Sequence, residues 1–170
     1  LMGNHDEFMI DFLFNKKNDI KNWLNFGVDE TFRSYNIEIV EFIKDGFEDD
    51  VIDRLRNELL KKMDATHINF FKNLEVTYST EKYLFVHAGI DPQKKLSEQT
   101  KKDYLWSRSN VFFDKNFKAE KIIVHGHTPE KDVIDYPYRI NIDTGCYFSG
   151  KLTCVCLNEQ NDDRFFISNL

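Results

Sequence analysis

Three short stretches of this chain carry side chains that bind cations and move protons. They are Gly3-Asn4-His5-Asp6, Val86-His87-Ala88-Gly89 and Val124-His125-Gly126-His127-Thr128-Pro129. One amide oxygen and two imidazoles suit a borderline divalent ion such as Mn, Fe or Zn better than Ca or Mg, which prefer oxygen ligands. Asn4, His87 and His127 are therefore the candidate metal ligands. His5, next to Asn4, offers a ring that can hold a proton there. Each stretch alone is ordinary: Gly-Asn is turn chemistry, and core histidines with satisfied hydrogen bonds would account for His87 and His127. His125 stands two residues before His127 and would face the same side of a strand, a further candidate ligand unless Gly126 breaks that strand first.

For these residues to meet, strands must deliver them. Phe85-Val86 and Ile122-Ile123-Val124 are apolar runs that stop at His and Gly, the pattern of a buried strand ending in a loop. In α/β sheets, ligands gather beyond the ends of strands, so several strands ending in polar, Gly-flanked groups point to one shared site. Gly3, Gly89 and Gly126 would let backbone and ligand approach closely.

The rest of the chain reads as a helical first half and a strand-rich second half. Phe8, Met9, Ile10, Phe12 and Leu13 recur at helical spacing, and such a helix would aim its positive end at Asn4 and His5, favourable for a phosphate there. A polar connection over Asn15-Lys16-Lys17-Asn18 leads to a short amphipathic piece around Ile20, Trp23, Leu24 and Phe26. Ile37 to Ile43 is expected as a helix stopping at Gly46. Val51, Ile52, Leu55, Leu59, Leu60 and Met63 form the clearest one-faced stripe, with Glu48-Asp49-Asp50 as its acidic start. His67 lies near another helix start and is expected to be exposed or capping, without chemistry. Strands are expected at Val76-Ser79, Tyr83-Val86, Ile122-Val124 and Tyr138-Ile142, then Lys151-Leu157 in a hairpin around Ser149-Gly150, and last Arg164-Ile167 across a turn from Asn158 to Asp163. Ser97 is expected to cap a helix running toward Tyr104 and Trp106.

Composition narrows the function classes. The chain has 170 residues, of which 41% are hydrophobic and sixteen are Phe, enough for one sizeable aromatic-rich core. A formal charge of −6, from 23 basic and 29 acidic residues without long blocks of either sign, argues against a dedicated nucleic-acid surface. A small anionic substrate would then need local positive charge from a metal or an Arg. Three Cys do not make a disulfide framework and point to a reducing, cytoplasmic compartment. No apolar stretch reaches the roughly 20 residues of a membrane span. Cys146, Cys154 and Cys156 lack zinc-knuckle spacing and are expected to be buried as small hydrophobes. Asp143 is expected in a turn that supports the His127 loop.

Gly3-Asn4-His5-Asp6, Val86-His87-Ala88-Gly89 and Gly126-His127-Thr128-Pro129, in this order and followed by Asn141-Ile142-Asp143-Thr144-Gly145, resemble the later motifs of the calcineurin-like metallophosphoesterases. More narrowly, the chain resembles bacterial or phage-type serine/threonine phosphoprotein phosphatases, a group close to the diadenosine tetraphosphate hydrolases. The resemblance implies an α/β fold: a metallophosphatase-type β-sandwich of mixed sheets flanked by helices, one domain over residues 1–170. It implies that Asn4, His87 and His127 hold the second metal of a two-metal site of Mn, Fe or Zn. It makes His5 the general acid that protonates the leaving oxygen, and Arg108 the side chain that grips the substrate phosphate. The partner implied is a phosphorylated protein or a small phosphoester, with no nucleic acid and no membrane; pairing of copies would cover exposed strand edges.

Two earlier motifs of that family, Asp-x-His and Gly-Asp-x-x-Asp-Arg-Gly, do not occur in this sequence. They supply the first metal's ligands and the carboxylate partner of the catalytic His. The expectation is a C-terminal portion whose N-terminal strands and motifs are missing, with ligands for one metal and little or no turnover of its own. The intact protein is then expected to hydrolyse phosphate monoesters by metal-activated water. The alternatives are a dinucleoside polyphosphate hydrolase and a non-catalytic metal-binding or scaffold domain. Thr128-Pro129 after His127 tilts the reading toward the protein phosphatase.

Overall fold

The computed structural model describes residues 1–15, 20–44, 46–161 and 163–169. The chain divides into two compact units, His5–Leu74 and Leu1–Asn4 together with Glu75–Leu170.

The first unit is helical. Its elements are α1 (Asn4–Leu13), α2 (Ile20–Leu24), α3 (Val28–Ser34), α4 (Ile39–Ile43), α5 (Asp49–Lys62) and α6 (Ala65–Lys72). The expected stripe on α5 buries Val51, Ile52, Leu55 and Leu59. Asp49 and Asp50 in the first turn and Lys61 and Lys62 in the last complement the helix dipole. Ile52, Leu55 and Leu59 join Phe12, Trp23, Val28 and Phe32 in one aromatic-rich core. Each fully buried aliphatic side chain there contributes about 1.5–3 kcal/mol. Helix α3 was not expected from the sequence; it buries Val28 and Phe32, one turn apart, behind a left-handed Gly27 at φ 74°. The helix expected from Ile37 begins only at Ile39, because Asn36 takes a left-handed φ of 57° and Ile37 N donates back to Phe32 O. His67 is exposed, its Nδ1 2.9 Å from the Tyr35 hydroxyl, and Asp64 is the residue that caps α6. Most of the polar connection expected at Asn15–Asn18 lies outside the described residues.

The second unit is α/β, as expected. Five strands, β1 (Tyr78–Ser79), β2 (Tyr83–Phe85), β3 (Ile122–His125), β4 (Ile134–Tyr136) and β5 (Arg139–Asn141), form one sheet in the order β1-β2-β3-β5-β4. The inner strands β2, β3 and β5 run parallel, and both edge strands pair antiparallel, so the sheet is mixed. Parallel neighbours require a crossover; between β2 and β3 it carries α7 (Lys101–Trp106) and α8 (Asn110–Phe113). Every residue of β3 is buried, as a continuous apolar run in a parallel sheet should be. On one face Leu84, Val86 and Ile123 pack with Ile90 and Phe112. On the other, Tyr83, Ile122, Val124 and Ile140 receive Val155 and Leu157 from β6 (Thr153–Leu157). Strand β6 pairs antiparallel with β7 (Arg164–Ser168) as a second, two-stranded sheet.

Three expectations are corrected. Strand β5 pairs with β3 and β4 rather than with β6, and residues Cys146–Ser149 form a short helix, α9, between left-handed Gly145 and Gly150 where a hairpin turn was expected. Ser97 sits in a 3-10 turn; the cap of α7 is Thr100, in a reciprocal capping box with Asp103. Cys146, Cys154 and Cys156 are exposed rather than buried. The period-two alternation of β6 turns Thr153, Val155 and Leu157 inward and leaves Cys154 and Cys156 on the outer face. No described helix is long and apolar enough to cross a membrane.

Candidate metal centre

Asn4, His87 and His127 come together within the second unit. Asn4 opens α1 and is 3% exposed. The residues ahead of it are tied down by a hydrogen bond from Met2 N to Glu75 O, 2.7 Å. His87 lies just past β2. The backbone around it is pinned by Val86 N to Val124 O, Gly126 N to His87 O and Ala88 N to Tyr104 O, the last at 2.7 Å. His127 follows β3 and takes a left-handed φ of 69°, which non-glycine residues adopt rarely and at functional sites.

The result is a convergence of three atoms that can each ligate a cation. His87 Nε2 is 2.8 Å from Asn4 Oδ1 and 3.0 Å from His127 Nδ1, with the two imidazoles 4.8 Å apart and inclined at 67°. A single ring proton can bridge one of these pairs but not satisfy all three atoms. Ligand atoms about 2.0–2.2 Å from a shared ion stand roughly 3 Å from one another, the spacing seen here. The donor set therefore fits a divalent cation. Among the described residues no cluster of three or more His, Cys, Asp or Glu is placed for a metal; the candidate set here is two imidazoles and an amide.

Asn141 is the supporting residue that sequence reasoning missed. It is 1% exposed, donates from Nδ2 to Thr128 O at 2.8 Å and accepts from Asp143 N at 3.0 Å. It thereby joins the His127 loop to the turn that follows β5. Asp143 holds that turn, as expected, accepting from Gly145 N at 2.9 Å. The available signal was a polar residue at the end of an otherwise apolar strand, Arg139-Ile140-Asn141.

His125 faces away from the centre. It is 2% exposed, donates from Nδ1 to Gly126 O and accepts from Arg139 Nη1 at 3.3 Å. Burial, with the nearby charges of Arg139 and His127, pushes its pKa down to about 4, so it is neutral at pH 7. Arg139, itself 4% exposed, is held among Phe112, Phe113 and Tyr136 and donates to Phe113 O.

Arg108 reaches the outer side of the candidate centre. Its Nε donates to His127 Nε2 at 3.3 Å, and Trp106 stands edge-on to the same imidazole at 6.1 Å. Ser107 Oγ donates to Ile90 O at 2.8 Å and fixes the segment that carries both. His5 follows Asn4 in the chain and belongs to the helical unit. There its ring packs edge-on against Phe8 and Phe26, and burial lowers its pKa despite the opposing charge of Asp6.

No family model matches the chain. Among curated proteins it is similar to bis(5'-nucleosyl)-tetraphosphatase PrpE [asymmetrical] of Anoxybacillus flavithermus (strain DSM 21510 / WK1), 36% identical over 87 residues. That similarity covers 44% of this chain and 36% of the relative, so the chain spans well under half the length of the curated protein it matches. The likeness is partial, and it is to a protein named as a tetraphosphatase.

Proposed function

We propose that this chain carries the second-metal half of a metallophosphoesterase centre and acts on phosphate esters or anhydrides. The observation that carries the reading is that His87 Nε2 lies within 3.0 Å of both Asn4 Oδ1 and His127 Nδ1. These three side chains would hold a divalent ion, Mn, Fe or Zn by donor type. Such an ion supplies Lewis acidity toward a phosphoryl oxygen and lowers the pKa of bound water.

The chain's own residues do the remaining work. Arg108, planar and always charged, binds two phosphate oxygens through its fork. Water forms the new bond to phosphorus while the bond to the leaving oxygen breaks. His5 gives that oxygen a proton, a contribution worth roughly 10²–10⁴ in rate. Counterparts of the first-metal motifs are not in the sequence, so the chain by itself provides ligands for one ion. Between the two substrate classes, a dinucleoside polyphosphate is favoured over a phosphoprotein, because the tetraphosphatase named above acts on the former.

The test is a Mn titration followed by calorimetry, with p-nitrophenyl phosphate hydrolysis alongside. One Mn per chain is expected, lost in His87→Ala. In a protein extended to carry the two first-metal motifs, equal, measurable hydrolysis by the parent and His5→Asn would remove His5 from its role. Failure of the parent to bind Mn would overturn the reading as a whole. Mn binding without turnover even in the extended protein would favour the non-catalytic metal-binding domain.

A further inference from the structure

An open groove lies along α7, and one of its lining residues, Arg108, reaches His127 Nε2 at 3.3 Å. It encloses a cavity of about 330 Å³ lined by Asp91, Lys102, Asp103, Trp106, Ser107 and Arg108 among others. Lys102 and Trp106 are four residues apart on α7 and therefore share one face of it. Going outward from His127, the groove presents a guanidinium, an indole and an ammonium.

The two acidic residues of the lining share one ammonium, that of Lys94. Asp103 Oδ2 is 2.7 Å from Lys94 Nζ and accepts from Thr100 N and Oγ1 at 2.7 and 2.8 Å, while Asp91 stands 3.5 Å from the same ammonium. Neither Lys102 nor Arg108 has a carboxylate partner among the described residues. The groove thus offers two cations to an anionic chain and a half-buried indole to a flat ring.

We propose that this groove is the binding site for the part of a nucleoside polyphosphate beyond the phosphate being cleaved. Trp106 stacks on the base, and Arg108 and Lys102 meet successive phosphates. The assignment rests on the metallophosphoesterase reading above and adds Lys102 and Trp106 as specificity residues. A phosphoserine or phosphothreonine substrate has one phosphate and no base; it would engage Arg108 and leave Lys102 and Trp106 idle.

The experiment is calorimetric titration of the full chain in EDTA, where no turnover occurs, with diadenosine tetraphosphate, inorganic phosphate and a phosphoserine peptide. Diadenosine tetraphosphate is expected to bind at least tenfold tighter than the other two. Lys102→Ala and Trp106→Leu should each weaken that binding, roughly five- to a hundred-fold for loss of the stack. Trp106→Phe should restore most of it, and none of the three variants should change phosphoserine affinity. Circular dichroism melts check that each variant folds. Equal affinity for diadenosine tetraphosphate in parent and variants would overturn the groove, as would tighter binding of the phosphoserine peptide. A separate Mn titration of the parent distinguishes the two layers: Mn binding without nucleotide preference sinks the groove alone, and no Mn binding sinks the metal-centre reading on which it rests.

Discussion

Arg108 Nε lies 3.3 Å from His127 Nε2, on the opposite side of the ring from Nδ1, the atom that faces His87. Arginine has no acceptor, so His127 must take this bond on a bare Nε2 and, when neutral, keep its proton on Nδ1. A cation at Nδ1 needs the other tautomer. Arg108 therefore competes with metal for the protonation pattern of His127. Arg108→Ala is expected to tighten Mn binding about two- to tenfold, the value of one modest hydrogen bond, while abolishing phosphate binding. Calorimetry with Mn and with phosphate separates the two effects.

Asn141 carries a prediction of the opposite sign. Asn141→Ala strands Thr128 O and Asp143 N, each at a cost of about 1–3 kcal/mol if it stays buried. The loops that hold His127 then lose their tie. Mn affinity is expected to fall roughly 10–100-fold, the usual effect of removing a residue that orients a ligand. A Mn titration of a variant shown by thermal melting to be folded at the working temperature makes the measurement.

The buried pair His125 and Arg139 predicts a pH response. Folding holds the His125 pKa near 4, below the 6.5 of an exposed His, so the unfolded chain binds more protons through that interval. Its stabilising effect is complete above pH 6.5 and is lost as pH falls toward 4, by up to about 3 kcal/mol. Between pH 6.5 and 5, above the carboxylate range, the melting temperature should drop more in the parent than in His125→Gln, where the lowered pKa of His5 leaves a smaller response.

At Gly89, beside the centre, an added side chain meets a wall. The Gly89 φ is 144°, and an added Cβ would lie 2.5 Å from the buried ring of Phe112. Gly89→Ala should destabilise the fold by more than about 1 kcal/mol, measurable as a lowered denaturation midpoint.

Thr100 sets the start of the helix that carries Lys102 and Trp106. Removing its hydroxyl in Thr100→Ala opens the capping box with Asp103 and should cost about 0.5–2 kcal/mol. The same variant should weaken diadenosine tetraphosphate binding more than Mn binding, as calorimetry would show.

Much of the fold was legible because single faces or whole strands are apolar. The α5 stripe and Ile122-Ile123-Val124 each had one reading, and β3 ends where its His-Gly pair begins. Helix α3 was not legible, since Asp29, Glu30 and Thr31 separate its two buried side chains by polar residues. Strand β4 was hidden too, a three-residue edge strand with one fully outward residue, Asp135. The three donors of the centre were visible as residue types at strand ends; their distances were not. Asn141, Lys102 and Trp106 escaped notice because each matters through a partner far off in the chain rather than through a local pattern. The cysteines misled for the converse reason: Cys154 and Cys156 look like core residues, yet burial needs a neighbour that no local sequence supplies.

That outer face has a practical side. Cys154 lies opposite Ile167 and Cys156 opposite Phe165, and Phe165 and Ile167 are more than 60% exposed, a greasy ladder with reactive sulfur on alternate rungs. Such ribbons are adhesive. Concentrated, air-exposed samples should cloud and form covalent multimers over time, whereas reductant or a Phe165→Lys change should keep them clear, a difference that light scattering would follow by the hour.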